Sequence, residues 1–69
     1  MSTNVLVVED DPEISELIGE YLALENIQPI AALNGKAGIS MATDQHPDAI
    51  ILDLMLPDID GYQVARTLS

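Results

Sequence analysis

The sequence predicts an α/β layered fold with three parallel strands in order 2-1-3 and helices on both faces. Three observations point to it. Two short runs, Val5-Leu6-Val7-Val8 and Ala49-Ile50-Ile51-Leu52, are wholly apolar, and the first has the form of a strand buried on both faces of a parallel sheet. Helical patterns alternate with strands in the order β-α-β-α-β-α, which implies right-handed crossovers and parallel pairing. The intervening strand carries Pro29, which cannot donate to a ladder and so belongs at a sheet edge.

The elements follow in chain order. The first strand, Asn4 to Val8, stops abruptly at Glu9-Asp10-Asp11. Asp11 is placed to cap a helix, with Pro12 at its first position and Glu13 in its first turn. Ile14, Leu17, Ile18, Tyr21 and Leu22 then repeat with helical spacing, against polar Glu13, Glu16 and Glu20. Asn26 tolerates the left-handed conformation that ends such a helix. Ile27 to Ala31 is the edge strand, and Asn34-Gly35 is a turn or cap signal. Lys36 to Gln45 reads as a short helix despite Gly38, and His46-Pro47 marks its end. Asp48 precedes the third strand, Ala49 to Leu52, which ends at Asp53. A loop from Leu54 to Asp60 contains Pro57, and Asp60-Gly61 opens a last helix with Tyr62, Val64, Ala65 and Leu68. Tyr21, Tyr62 and Met41 are read as packing residues, and His46 as a helix-end residue.

Composition narrows the function. Sixty-nine residues make one domain at most, and 48% hydrophobic content argues against a disordered tail. There is no cysteine, hence no disulfide scaffold and no thiolate metal site. No apolar run approaches a membrane span, and the first residues lack the features of a signal peptide, so a cytoplasmic location is expected. Twelve acidic residues face Lys36 and Arg66, for a net charge of −10. Such a chain repels phosphate backbones and anionic bilayers, so neither direct nucleic-acid binding nor membrane association is expected of it. Metal cations and basic protein surfaces suit it better.

The two apolar strands each end in acid. In an open α/β sheet, ligands bind beyond the carboxyl ends of strands, where strand order reverses. With the first strand between the other two, Glu9, Asp10 and Asp53 should converge there. Two like charges ~4 Å apart repel by roughly 4 kcal/mol at an effective dielectric near 20. A compensating cation or a raised carboxyl pKa is then required. Three oxygen ligands fit Mg²⁺, a hard divalent ion. Zinc does not fit, with no cysteine and one histidine. Beside such an ion a carboxylate can attack a phosphoryl group. Asp53 is the candidate nucleophile, since it stands alone on its strand while Glu9 and Asp10 form a pair suited to holding the ion.

These residues carry a resemblance. Val5-Leu6-Val7-Val8-Glu9-Asp10-Asp11-Pro12 resembles the opening of a response-regulator receiver domain of bacterial two-component systems. The segment from Pro47 to Tyr62 resembles the surroundings of that family's phosphoacceptor, and Asn34-Gly35-Lys36-Ala37 its turn into the second helix. The Glu-Asp pair is most similar to the winged-helix (OmpR/PhoB-type) transcription-factor branch. The resemblance implies that Asp53 accepts phosphate from a sensor histidine kinase, ultimately to control transcription. It implies that Asp10 and Asp53 ligate Mg²⁺ directly, Glu9 directly or through water, and Met55 through its backbone carbonyl. Pro57 and Gly61 would shape the loop. The chain would be a phosphoacceptor signalling domain rather than an enzyme.

A receiver is a flavodoxin-like (CheY-like) domain with strand order 2-1-3-4-5. Residues 1–69 correspond to its N-terminal half, truncated to three β-α units. The hydroxyl residue of the fourth strand, the lysine of the fifth and the output face have no counterpart here, and Lys36 lies too early to replace that lysine. The third strand is then an exposed apolar edge, which predicts self-association through it or pairing with the missing C-terminal half. A non-signalling structural or interaction fragment is the alternative function. A haloacid-dehalogenase-like phosphatase is a weaker one, on Asp58-Ile59-Asp60-Gly61, because the strand ends at Asp53 and not at Asp58. A calcium loop fits less well still, since Gly61 comes too early.

Overall fold

Strand β1 (Thr3–Val8) lies at the centre of a three-stranded parallel sheet of order β2-β1-β3, with β2 spanning Ile27–Ala32 and β3 Ala49–Leu52. The computed structural model describes residues 3–53, 56, 58 and 60–68. Both strand pairs are in register along β1: Val5 lies opposite Pro29 and Ala49, and Val8 opposite Ala32 and Leu52. Pro29 is thus on an edge strand, where its missing N–H costs little. Asp48 fastens the start of β3: its Oδ2 accepts from the Asn4 N–H at 2.7 Å, and its own N–H donates to the Asn4 carbonyl at 2.8 Å.

Helix α1 (Pro12–Leu24) packs on β2 and β1. Asp11 caps it as expected, accepting from the N–H groups of Glu13 (2.9 Å) and Ile14 (3.4 Å). Helix α2 (Gly35–Gln45) lies on β1 and β2 and contacts α3 (Gly61–Leu68). Its cap is Asn34, whose Oδ1 accepts from the Ala37 N–H at 2.8 Å. It ends at His46 in the left-handed conformation, with φ 48°. Asn26 is left-handed too, at φ 60°. No helix among the described residues is long and apolar enough to cross a membrane.

The core gathers on the central strand. Val5, Leu6, Val7 and Val8 are all buried. Leu6 and Val8 pack with Ala32, and around them stand Ile30, Ala37, Met41, Ala42, Leu52 and Leu56. Val64 of α3 is fully buried as well. Gly38 has a packing reason: a Cβ there would come within 2.8 Å of Val8 Cγ2 and 3.0 Å of its Cγ1. Val8 is β-branched and buried, so it cannot swing away. Gly38→Ala should cost about 1–3 kcal/mol in overpacking, against a gain of about 1 kcal/mol in helix propensity. A net loss of stability in urea unfolding is expected; a more stable variant would contradict this packing.

The third strand is the exposed apolar edge that the sequence implies: Ile50 and Ile51 are 36% and 40% exposed. Two other sequence expectations need correction. The apolar stripe of α1 is only partly covered. Ile18 and Leu22 are half-buried, but Ile14, Leu17 and Tyr21 are exposed, and polar Ser15 is buried instead. Three strands offer too little surface to cover the whole stripe. Tyr21 and Tyr62, expected to pack, are 68% and 62% exposed.

Candidate metal centre

The register of the sheet builds the site. Val8 and Leu52 are partners, so the next residues, Glu9 and Asp53, leave the sheet side by side. Backbone bonds continue the pairing one step past each strand. The Asp53 N–H donates to the Val8 carbonyl at 2.9 Å, and the Glu9 N–H to the Ala32 carbonyl at 3.0 Å. Glu9 and Asp53 are half-buried and Asp10 is exposed. One carboxylate oxygen from each of Glu9, Asp10 and Asp53 lies within 4.8 Å of the others. This is the convergence that the matched strand ends imply. Met55 and Pro57 lie outside the described residues.

Electrostatics at the site follow from that crowding. Burial is the largest influence on Glu9 and raises its carboxyl pKa above the ordinary 4.5. The N–H of Asp11, donating to Glu9 Oε1 at 3.3 Å, opposes the rise. A hydrogen bond with the Asp53 side chain and the charges of Asp53 and Asp10 reinforce it. Ionised Glu9 therefore costs folding free energy above its raised pKa, and the cost vanishes below the unfolded value. Without divalent cations, Glu9→Gln should be more stable than the unsubstituted chain at pH 7. The difference should shrink as pH falls through the raised pKa and disappear below 4.5. Unfolding curves of both proteins across this range check it; a difference independent of pH would contradict it.

The donor set is all oxygen, and among the described residues Glu9, Asp10 and Asp53 form the cluster that could hold an ion. Hard cations with octahedral oxygen coordination suit such a set, and water completes their shell. The other acids of the segment do different work. Asp58 Oδ1 accepts from the Gly35 N–H at 2.8 Å and Oδ2 from the Lys36 N–H at 3.0 Å. Asp60 Oδ1 accepts from the Tyr62 N–H at 2.9 Å and caps α3. Asp58 is thus an exposed residue bound to a helix start, which does not suit the nucleophile of a DxDG phosphatase. Sequence reasoning missed this contact. The available signal was the α2 start, which lacks an acid in its own first turn.

Comparison with known proteins agrees with the geometry. Residues 5–69 match the response regulator receiver domain family. The chain is 39% identical over 64 residues to the DNA-binding dual master transcriptional regulator RpaA of Synechocystis, covering 93% of this chain and 27% of that protein. It is 40% identical over 68 residues to the transcriptional regulatory protein SrrA of Staphylococcus aureus, covering 99% and 28%. Among solved structures it resembles the response regulator protein TrrA from Thermotoga maritima in complex with Mg²⁺-BeF, with a TM-score of 0.90 and 36% identity. That match covers 93% of this chain and 56% of the other. The chain therefore spans about a quarter of the length of these curated relatives and just over half of that structure.

Proposed function

The chain belongs to the response regulator receiver domain family, and on that footing we propose that Asp53 accepts a phosphoryl group from a histidine kinase at a Mg²⁺ site formed with Glu9 and Asp10. The carrying observation is the meeting of the three carboxylates within 4.8 Å at the ends of β1 and β3. The occurrence of Mg²⁺-BeF in the Thermotoga relative supports the choice of ion. Bound there, Mg²⁺ supplies positive charge that offsets the transferring phosphoryl group and the crowded carboxylates.

The chain's own residues do the rest. Glu9 and Asp10 hold the ion, with the carbonyl of Met55 as a further ligand by family resemblance. Asp53, fixed by its backbone bond to Val8, directs a carboxylate oxygen at phosphorus. An O–P bond forms as the P–N bond of the kinase phosphohistidine breaks, and the departing imidazole nitrogen takes up a proton. The product is an acyl phosphate on Asp53. The names of the relatives RpaA and SrrA, both transcriptional regulators, support an output through transcription. Incubation with a small phosphodonor and Mg²⁺ tests the reading: label is expected on Asp53 alone, and label absent or placed on Asp58 would overturn it.

We also propose that residues 1–69 act as the N-terminal half of a receiver and that the outer edge of β3 takes a further strand. The exposure of Ile50 and Ile51 on a strand that is an edge among the described residues supports this. In the isolated chain that strand comes from a second copy. Gel filtration should show a dimer forming as concentration rises; a monomer throughout would contradict it.

A further inference from the structure

We propose that Asp58 is a positioning residue for the metal and phosphoacceptor site, acting by tying the connection after Asp53 to the start of α2. The inference rests on the metal reading above and adds a residue to it. Asp58 stands five positions after Asp53 and is exposed, yet its two carboxylate oxygens take the N–H groups of Gly35 and Lys36 at 2.8 and 3.0 Å. Those two N–H groups are among the orphan donors of a helix start, and charge-assisted bonds to them are strong. The positive end of α2 favours the carboxylate further.

The contact closes a circuit. From Asp58 it passes to Gly35 and back along the chain to Ala32, whose carbonyl takes the Glu9 N–H at 3.0 Å. From Glu9 it passes to Val8, whose carbonyl takes the Asp53 N–H at 2.9 Å. The covalent chain from Asp53 to Asp58 completes the ring. Two of the three site carboxylates therefore belong to residues of one closed loop, and Asp58 supplies its side-chain link to the start of α2. Removing that link releases Asp58 from the start of α2 while leaving Asp60 to cap α3 and Asn34 to cap α2.

The helix cap at Asn34 provides the control, since its side chain bonds Ala37 on the same helix but is no part of the ring. Mg²⁺ affinity is read from amide chemical shifts of Glu9, Asp10 and Asp53 in folded protein. Asp58→Ala should weaken binding about tenfold, as loss of an outer-shell partner does. Asn34→Ala should change it less than about twofold, well below that outer-shell range. Asp58→Asn, which retains one acceptor, should fall between Asp58→Ala and the unsubstituted chain, and it carries the test if Asp58→Ala does not fold. Affinity unchanged in Asp58→Ala, or lost equally in Asn34→Ala, would overturn the inference. No binding by the unsubstituted chain would instead overturn the metal reading, and this inference with it.

Discussion

Asp53→Asn is expected to abolish phosphoryl labelling and, without divalent cations, to make the protein more stable. The amide cannot form an acyl phosphate, so labelling should fall to background. The stability gain arises because the substitution removes one of three crowded negative charges while keeping the side chain's shape. Two charges ~4 Å apart repel by roughly 4 kcal/mol at an effective dielectric of 20. Asp53 is only half-buried and Asp10 is exposed, so solvent screening reduces this to about 1 kcal/mol. For a domain of this size that corresponds to a Tm higher by about 4–8 °C. Adding Mg²⁺ should reverse the order, since an ion that binds only the folded state stabilises it in proportion to affinity. The unsubstituted chain gains from Mg²⁺ and Asp53→Asn gains little. Calorimetry with and without the ion checks both halves; a less stable Asp53→Asn without cations would mean that the carboxylates do not repel.

Leu6→Ala should have the largest effect on stability. Leu6 is fully buried at the middle of the central strand, against Val8, Ala32 and the inner face of α2. Truncating a buried leucine costs about 2–5 kcal/mol, part from lost transfer free energy and part from the cavity left behind. A chain of 69 residues has a total stability of about 3–10 kcal/mol. The variant should therefore be partly unfolded at 25 °C, seen as a loss of amide shift dispersion. Ile50→Ala, at a 36% exposed position on the edge strand, should cost far less. Equal losses at the two positions would contradict a core centred on β1.

The strands and the acidic site were legible in the sequence because both depend on short-range pattern. An apolar run closed by an acid marks a strand and its carboxyl end together. Pro29 then marks β2 as an edge strand, which supports the order that brings Glu9 and Asp53 together. What was not legible depends on partners distant in sequence. Asp58 binds Gly35 and Lys36 across a separation of 22–23 residues, and locally it looks like part of an acidic loop. Gly38 reads as a weak point in a helix until Val8 is found beneath it. The stripe of α1 has the period of a buried face, but period says nothing about how wide a sheet lies below. Ile14, Leu17 and Tyr21 are consequently exposed despite correct spacing.

The shared ion at the ends of β1 and β3 is the claim on which the function depends. Titration with Mg²⁺, followed at the side-chain carboxyl carbons by NMR, tests it directly. The expected result is one saturable event in which Glu9, Asp10 and Asp53 shift together, absent from Asp53→Asn. A weak, non-saturating drift spread over all twelve acids, with no concerted change at these three, would contradict it.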